Sequence, residues 1–378
     1  MMETNKMKDI GVAVIGAGGI GTLRAHSCKQ IPQVNFLAVC DVVPEKLDKL
    51  AKSAKADLAT SDLRKAISDD RVGAVIVSTD EENHHEAAAL AAELGKPVLI
   101  EKPFVLTLDE ADDIIAKASG NGAGVFIGYT QRFRRRFLAV KQRVDSGQIG
   151  EPVSAVTRAF MNRMTPAGEL RNATPEQKRW MTPMVISGTH SLDACMWILN
   201  DPKPVSVYAK ATDKILGPLG TKDSTFGVWT FEGGAIWSMN ISWGLPAYWP
   251  GSVYGLEIGI VGTEGVIDID DTHRDLVLAS HHPQGAGYKP EGLKVETERH
   301  VDFLTSFPPG DLYGGELWGP MRDETNTWFQ RIYHNKPTPH ATAEEGHRNL
   351  IMTMAMDLSA KRGKEVQMPV SAEELMAG

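Results

Sequence analysis

The chain has 378 residues, 42% of them apolar and 23% charged, enough to bury two cores rather than one. A formal net charge of -8 argues against a nucleic-acid partner, which needs a clustered basic surface to neutralise phosphates. Cys28, Cys40 and Cys195 have no paired or CxxC spacing, and no apolar run reaches the roughly 18 to 20 residues of a membrane span, so a cytoplasmic chain with no membrane partner is expected.

In chain order, residues 10 to about 130 alternate β-branched runs with amphipathic helical stretches, the pattern of a parallel sheet with crossover helices. Strands are predicted over 11–15, 36–40, 74–78, 98–100 and 124–129. Pro44 suits a first helical turn, with Leu47, Leu50, Ala51 and Ala54 along one face. Ala87, Leu90, Ala91 and Leu94 mark another helix, ended by Gly95. The basic run from Arg132 to Arg136, broken by Phe133, reads as a solvated helix face, and a helix follows over 137–146.

Beyond it the texture changes. Strand-like runs over 153–160, 205–211, 225–231, 235–243 and 256–262, joined by short turns such as Glu232-Gly233-Gly234, predict a largely antiparallel sheet. The Gly/Pro-rich segment 283–290 reads as a surface loop, and Leu350, Ile351, Met354, Ala355 and Leu358 as the core stripe of a late helix. The expected architecture is α/β: an N-terminal Rossmann dinucleotide-binding domain over 1–130 and a C-terminal α+β domain over 131–378 with a large, mostly antiparallel sheet. The C-terminal helix is free to pack back on the first domain.

Gly16-Ala17-Gly18-Gly19-Ile20-Gly21 directly follows a strand and precedes a helix with Ile20, Leu23 and Ile31 on one face. Gly16 suits the tight turn, Gly18 the close approach of a pyrophosphate and Gly21 the packing of helix on sheet. The helix N-terminus offers N–H groups and a dipole to the anion. About 20 residues on, Asp41 ends the second strand, where it accepts hydrogen bonds from the adenosine ribose and repels a 2′-phosphate, or else caps the helix before Pro44. The first reading selects NAD over NADP.

Glu101-Lys102-Pro103 follows the strand over 98–100, at the carboxyl end of a parallel sheet where ligands bind, so Lys102 is either a cofactor-side acid/base group or a solvated strand end. His190 and Asp193, three apart, share a face of a helical turn, so that the carboxylate can orient the imidazole or a substrate hydroxyl; a hydrogen-bonded core histidine is the alternative. His84-His85 and His281-His282 lack a carboxylate or third histidine at ligand spacing, so no metal is expected.

Taken together these residues resemble the glucose–fructose oxidoreductase, inositol dehydrogenase and MocA family, written Gfo/Idh/MocA. Residues 12–21 resemble its fingerprint, and Thr79 with His84 keep the spacing of its TPNxxH loop. Gly95-Lys96-Pro97 leading to Glu101-Lys102-Pro103 is similar to its GKxVxxEKP segment, and Gly128-Tyr129-Thr130-Gln131-Arg132-Phe133 to GFNRRF. Gly147-Gln148-Ile149-Gly150 and Gly262-Thr263-Glu264-Gly265 match its SGxIG and GTEG turns, and the helix after Thr342-Ala343-Glu344-Glu345-Gly346 also fits.

The resemblance implies that Gly16, Gly18, Gly19, Ile20, Gly21, Asp41, Thr79, His84, Glu101 and Lys102 bind NAD, and that Lys102 and His190 carry the chemistry, to which the spacing of Asp193 from His190 adds Asp193. It suggests Gln131, Asn162, Arg163, Trp180 and Tyr254 for the substrate, and Trp243 and Trp249 for a homo-oligomer interface, dimer or tetramer, on the C-terminal sheet. The family's D-x-x-x-H-x-x-D stretch departs here: Ile186 stands where the first Asp belongs, Trp180-Met181-Thr182 replaces a glycine run, and Thr79-Asp80-Glu81 replaces TPN. The expected activity is NAD-dependent oxidation of a secondary alcohol of a sugar or polyol such as an inositol, with His190 as base and Lys102 polarising the oxygen. An NAD-recycling lyase, isomerase or glycosidase, and a non-catalytic NAD-binding sensor, are the alternatives.

Overall fold

A computed structural model describes residues 9–163, 166, 170, 173–251, 253–270, 276–284, 299–304 and 307–377; the loop expected over 283–290 lies outside them from residue 285 on. The chain forms two compact units, 1–133 with 309–348 and 134–308 with 349–378. The return of residues 309–348 to the first unit is absent from the sequence division at 130.

In the first unit, β1 (Ile10–Ile15), β2 (Val34–Cys40), β3 (Leu58–Thr60), β4 (Val72–Val77), β5 (Val98–Glu101) and β6 (Val125–Gly128) make a sheet of order β3-β2-β1-β4-β5-β6. All these pairings are parallel, and the order is that of the dinucleotide-binding Rossmann fold. The short strand Ala341–Thr342 adds antiparallel to β6 at the edge. Val12, Val14, Leu37, Val39 and Ile76 are wholly buried because helices cover both faces of the sheet. The crossovers are α1 (Gly19–Lys29), α2 (Pro44–Ala54), α3 (Leu63–Ser68), α4 (His84–Glu93) and α5 (Leu108–Asn121). Trp328 and Phe329, on the helix Pro320–His334, join this core, and burying side chains of that size contributes about 1.5–3 kcal/mol each. They hold the returning segment in place.

On α1 the buried face is Gly21, Arg24, Ala25, Ser27 and Cys28, not the expected Ile20 and Leu23, which stay partly exposed. Small residues let the helix lie close on the sheet. The basic run also departs from expectation: Arg132 sits in a single turn (Thr130–Phe133), is buried, and pairs with Glu345 at 2.9 Å, so only Arg135 and Arg136 form a solvated face.

The second unit holds α6 (Arg135–Asp145), α7 (Pro175–Trp180) and α8 (Thr189–Ile198). Its sheet contains β7 (Pro152–Asn162), β8 (Pro204–Thr212), β9 (Ser224–Phe231), β10 (Ile236–Leu245), β11 (Val253–Gly262) and β12 (Val266–Asp270) in the order β12-β11-β7-β10-β9-β8, with Val366–Gln367 beyond β8. Pairings are antiparallel except β7 with β10, so the largely antiparallel expectation holds. The two family turns interlock: Glu264 N–H donates to Ile149 O at 2.9 Å, and a Cβ on Gly262 would lie 2.1 Å from that same oxygen.

One face of this sheet is buried, through Trp237, Met239, Ile241 and Trp243 on β10. Trp243 is therefore an internal residue, its Nε1 donating to Ser187 at 2.8 Å, and not the interface residue expected from its aromatic surroundings. Trp249 is half-buried against Phe303. The other face carries the exposed Val156, Tyr208, Phe226, Val228, Ile236 and Val261. Among the described residues no helix is long and apolar enough to cross a membrane.

Candidate functional site

The glycine turn joins β1 to α1. Gly16 has φ +99°, and a Cβ there would lie 2.4 Å from Ser78 O; a Cβ on Gly21 would lie 1.9 Å from Gly16 O. Both positions need glycine for packing. At Gly18 and Gly19 an added Cβ would meet nothing within 4 Å, so the turn is open on that side. Gly18 caps α1 without a side chain, leaving the first-turn N–H groups to an anion. The hydroxyls of Ser78 and Thr79, at the end of the neighbouring strand β4, are buried without a hydrogen-bond partner among the described residues. An open glycine turn, a helix N-terminus and orphaned hydroxyls fit a dinucleotide.

Asp41 does not cap α2, whose N-cap is Val43. Its Oδ2 accepts from Ala17 N–H at 2.6 Å and its Oδ1 from Val43 N–H at 2.7 Å. The carboxylate thus holds the glycine turn, and each oxygen keeps lone-pair capacity for a ribose hydroxyl.

His84, only 1% exposed, places Nδ1 3.0 Å from Pro103 O and Nε2 3.2 Å from Thr79 O. Its ring ties two turns together and offers a ligand almost no surface. Lys102 is half-buried in one of those turns, followed by a cis peptide to Pro103. Glu101 is also buried: Arg24 Nε donates to its Oε1 at 2.8 Å. Gln131 is 4% exposed, and its Oε1 is buried with no hydrogen-bond partner among the described residues.

In the second unit, His190 is the second residue of α8, which follows directly on a wide helical turn (Pro183–Gly188) whose hydrogen bonds span five residues. Such turns often mark functional positions in helices. Thr182 Oγ1 accepts from Val185 N–H and donates to Asp357 Oδ2 at 2.5 Å, while Ser187 accepts from Trp243. Burial pushes the Asp357 carboxyl up to about 7, against the pull of the Thr182 hydrogen bond. Asp193 has no exposed surface and accepts from Asn349 Nδ2 at 2.9 Å. Ile186, in the place of the family acid, is nearly buried.

Asn162 Nδ2 donates to Pro246 O at 3.0 Å, and Arg163 Nη2 to Gly244 O at 2.8 Å, so both fix the end of β10. Trp180 is half-buried with the Arg179 guanidinium 4.6 Å from its ring centroid. Tyr254 lies on β11, and its side chain is outside the described set.

Sequence reasoning missed Arg24, Glu324, Asn349 and Asp357. The one local signal was Arg24, a charge on a helix face otherwise made of Gly21, Ala25 and Cys28. The three cysteines are free and buried, and burial pushes the Cys28 thiol up to about 12 and Cys40 to about 11, so they serve as small apolar groups.

Residues 10–129 match the oxidoreductase family with an NAD-binding Rossmann fold, and residues 137–268 match the Gfo/Idh/MocA C-terminal domain. The chain is 25% identical to the myo-inositol 2-dehydrogenase of Thermotoga maritima over 377 residues, covering 97% of this chain and 99% of that protein. Its fold is similar to a probable dehydrogenase from Thermotoga maritima (TM-score 0.77, 23% identity, 97% and 100% of the two chains). It is also similar to the scyllo-inositol dehydrogenase of Lactobacillus casei with bound NAD(H) and scyllo-inositol (TM-score 0.74, 18% identity, 95% and 99%). With both halves matched in register, the open glycine turn and the lysine turn at the carboxyl ends of β1 and β5 place the chain in the Gfo/Idh/MocA family of NAD-binding oxidoreductases.

Proposed function

We propose that the chain is an NAD-dependent dehydrogenase acting on a secondary alcohol of a polyol, with inositols, the substrates in its relatives' names, as the first class to try. The observation that carries this reading is the pairing, in one sheet, of a glycine turn open at Gly18 and Gly19 with a half-buried Lys102 at the end of β5. When bound, NAD supplies the hydride acceptor. Ala17 N–H and Val43 N–H fix the Asp41 carboxylate so that it meets the ribose hydroxyls and rejects a 2′-phosphate.

In this reading the His190 imidazole takes the hydroxyl proton, and the Lys102 ammonium polarises the oxygen from which it leaves. Asp193 acts indirectly, by holding α8 through Asn349, since its carboxylate is enclosed. Gln131, Trp180 and Tyr254 remain candidates for substrate contact, while Asn162 and Arg163 are engaged with the end of β10. Absorbance at about 340 nm, where reduced nicotinamide absorbs, tests the reading with a panel of inositols and sugars. Steady growth with one polyol supports it; product without net NADH, or no reaction with any member, overturns it.

We infer that copies of the chain associate through the open face of the second unit's sheet. Tyr208, Val228, Ser238, Val156 and Gly259 are successive cross-strand neighbours on that face, an apolar and small-residue row exposed on a wide sheet. Light scattering is expected to report a dimer or tetramer that Val228→Asp splits; a monomeric wild-type chain sinks the inference.

A further inference from the structure

Beneath the lysine turn lies an ionic cluster that the proposed chemistry does not use. Arg24, wholly buried on α1, directs its guanidinium at three residues of the returning segment and one of β5. Nε donates to Glu101 Oε1 at 2.8 Å, and Nη2 reaches the same oxygen at 2.6 Å. Nη2 also donates to Glu324 Oε2 at 2.6 Å, and Nη1 to Thr325 Oγ1 at 2.8 Å and Met321 O at 3.4 Å. These contacts match the five N–H donors of a guanidinium. Thr130 Oγ1 donates to the same Glu324 oxygen at 2.8 Å. A Cβ on Gly128 would stand 3.2 Å from Arg24 Nη2 and 3.3 Å from Glu101 Oε2, so a side chain there would crowd the cluster.

One cation lies between two carboxylates out of water. Burial of Arg24 works against its charge, but Glu101 and Glu324 outweigh it and push its pKa up. Burial pushes the Glu324 carboxyl up as well, helped by the Glu101 charge and opposed by Arg24. Desolvating such a cluster costs several kcal/mol per ion, and apolar residues of the same volume often serve stability as well or better. What the ions add is directional geometry, and that geometry converges on the residue before Lys102.

We propose that Arg24 is a positioning residue for Lys102: it fixes the Glu101–Lys102 turn against the helix that carries the glycine turn, with Glu324 as its second anchor. The cluster holds the Glu101–Lys102 turn in register, while the glycine turn is held separately, by Asp41 through Ala17 N–H. The inference rests on Lys102 acting in the polyol oxidation proposed above.

A double-mutant cycle tests it, with Arg24→Lys made in the wild-type and Lys102→Ala backgrounds. In the wild-type background kcat is expected to fall about tenfold or more while NAD affinity changes less than about threefold. In the Lys102→Ala background the same change is expected to alter kcat less than about twofold, because the residue being positioned is gone. Equal losses in both backgrounds assign Arg24 to general stability and overturn the proposal.

A second readout needs no turnover. The rate at which acetic anhydride labels Lys102, read by mass spectrometry against the exposed Lys55, is expected to change at least about threefold in Arg24→Lys. A constant ratio overturns the proposal. If the wild-type chain oxidises no polyol, the assigned reaction fails by itself and the labelling ratio still decides the positioning role. Glu324→Gln keeps the shape of the cluster, and serves as the test variant with the same expected changes if Arg24→Lys does not fold.

Discussion

Asn349 donates its side-chain amide to the Asp193 carboxylate at 2.9 Å, and neither residue has any exposed surface. The pair joins α8 to the helix Ala343–Arg362 inside the second unit. A carboxylate three residues after a candidate base reads from sequence as a catalytic partner. Here it is enclosed and accepts from Asn349, and in the proposed function it holds the helix on which His190 stands.

Asp193→Asn keeps an oxygen for the Asn349 amide, so it is expected to lose no more than about 1.5 kcal/mol, the difference between a charge-assisted and a neutral hydrogen bond. Asp193→Ala strands the amide and is expected to lose about 1–3 kcal/mol. Urea denaturation separates them. Turnover of Asp193→Asn should fall less than about tenfold, and a loss of several thousandfold would return the carboxylate to the chemistry.

Asp41 holds the glycine turn and, in the proposed function, meets the ribose, so its replacement should show both. Asp41→Ser removes the repulsion of a 2′-phosphate and also the acceptor for Ala17 N–H. The expected outcome is NAD binding weakened by about tenfold or more with NADP binding improved, measured by titration of protein fluorescence. Equal affinity for both cofactors in the unmodified chain contradicts the role given to Asp41.

What was legible in the sequence was local. The glycine turn, Asp41 and the lysine turn each follow a short strand whose apolar run is visible in a few residues, and the parallel sheet follows from their spacing. β3 escaped because three residues, none of them buried, carry too little periodicity to read. The return of 309–348 escaped because Arg24 finds Glu324 some 300 positions away, a pairing no window of sequence contains. Trp243 was misread although the signal was there: it shares the alternating phase of Trp237, Met239 and Ile241, which marks the buried face.

Two buried groups set opposite pH trends. Burial pushes His340 down to about 3 from its ordinary 6.5, with Nε2 donating to Glu324 O. Between those values the unfolded chain takes a proton that the folded chain refuses, so stability is lost as pH falls below 6.5. Asp357 is pushed up to about 7 from 3.8, so the folded chain holds a proton that the unfolded chain releases, and stability is lost as pH rises from 3.8 to 7. His340→Gln is expected to flatten the acid decline and Asp357→Asn the decline toward neutral pH, each on the order of a few kcal/mol, read from denaturation at about pH 5 and about pH 8. Unchanged slopes in both variants would remove these groups from the pH dependence.

Ile186 sits in the wide turn Pro183–Gly188, 6% exposed, where the family's usual stretch has an acid. The turn is pinned at both ends, by Thr182 on Asp357 and by Trp243 on Ser187, so it has little freedom to turn a new side chain toward water. Ile186→Asp therefore loses apolar burial and introduces a desolvated carboxylate, with an expected cost of about 2–5 kcal/mol. Burial raises the pKa of such a carboxyl, so the cost should grow as pH rises from the ordinary carboxylate range up to that value, while Ile186→Asn, polar but neutral, should show no such growth. Above that pH the introduced charge favours the protonated form of a nearby His190 and should move the base-limited arm of the kcat/KM profile upward. An arm that stays in place while the stability difference between the two variants follows pH would mean that the carboxylate ionises without reaching the histidine, and that position 186 has no part in setting the base.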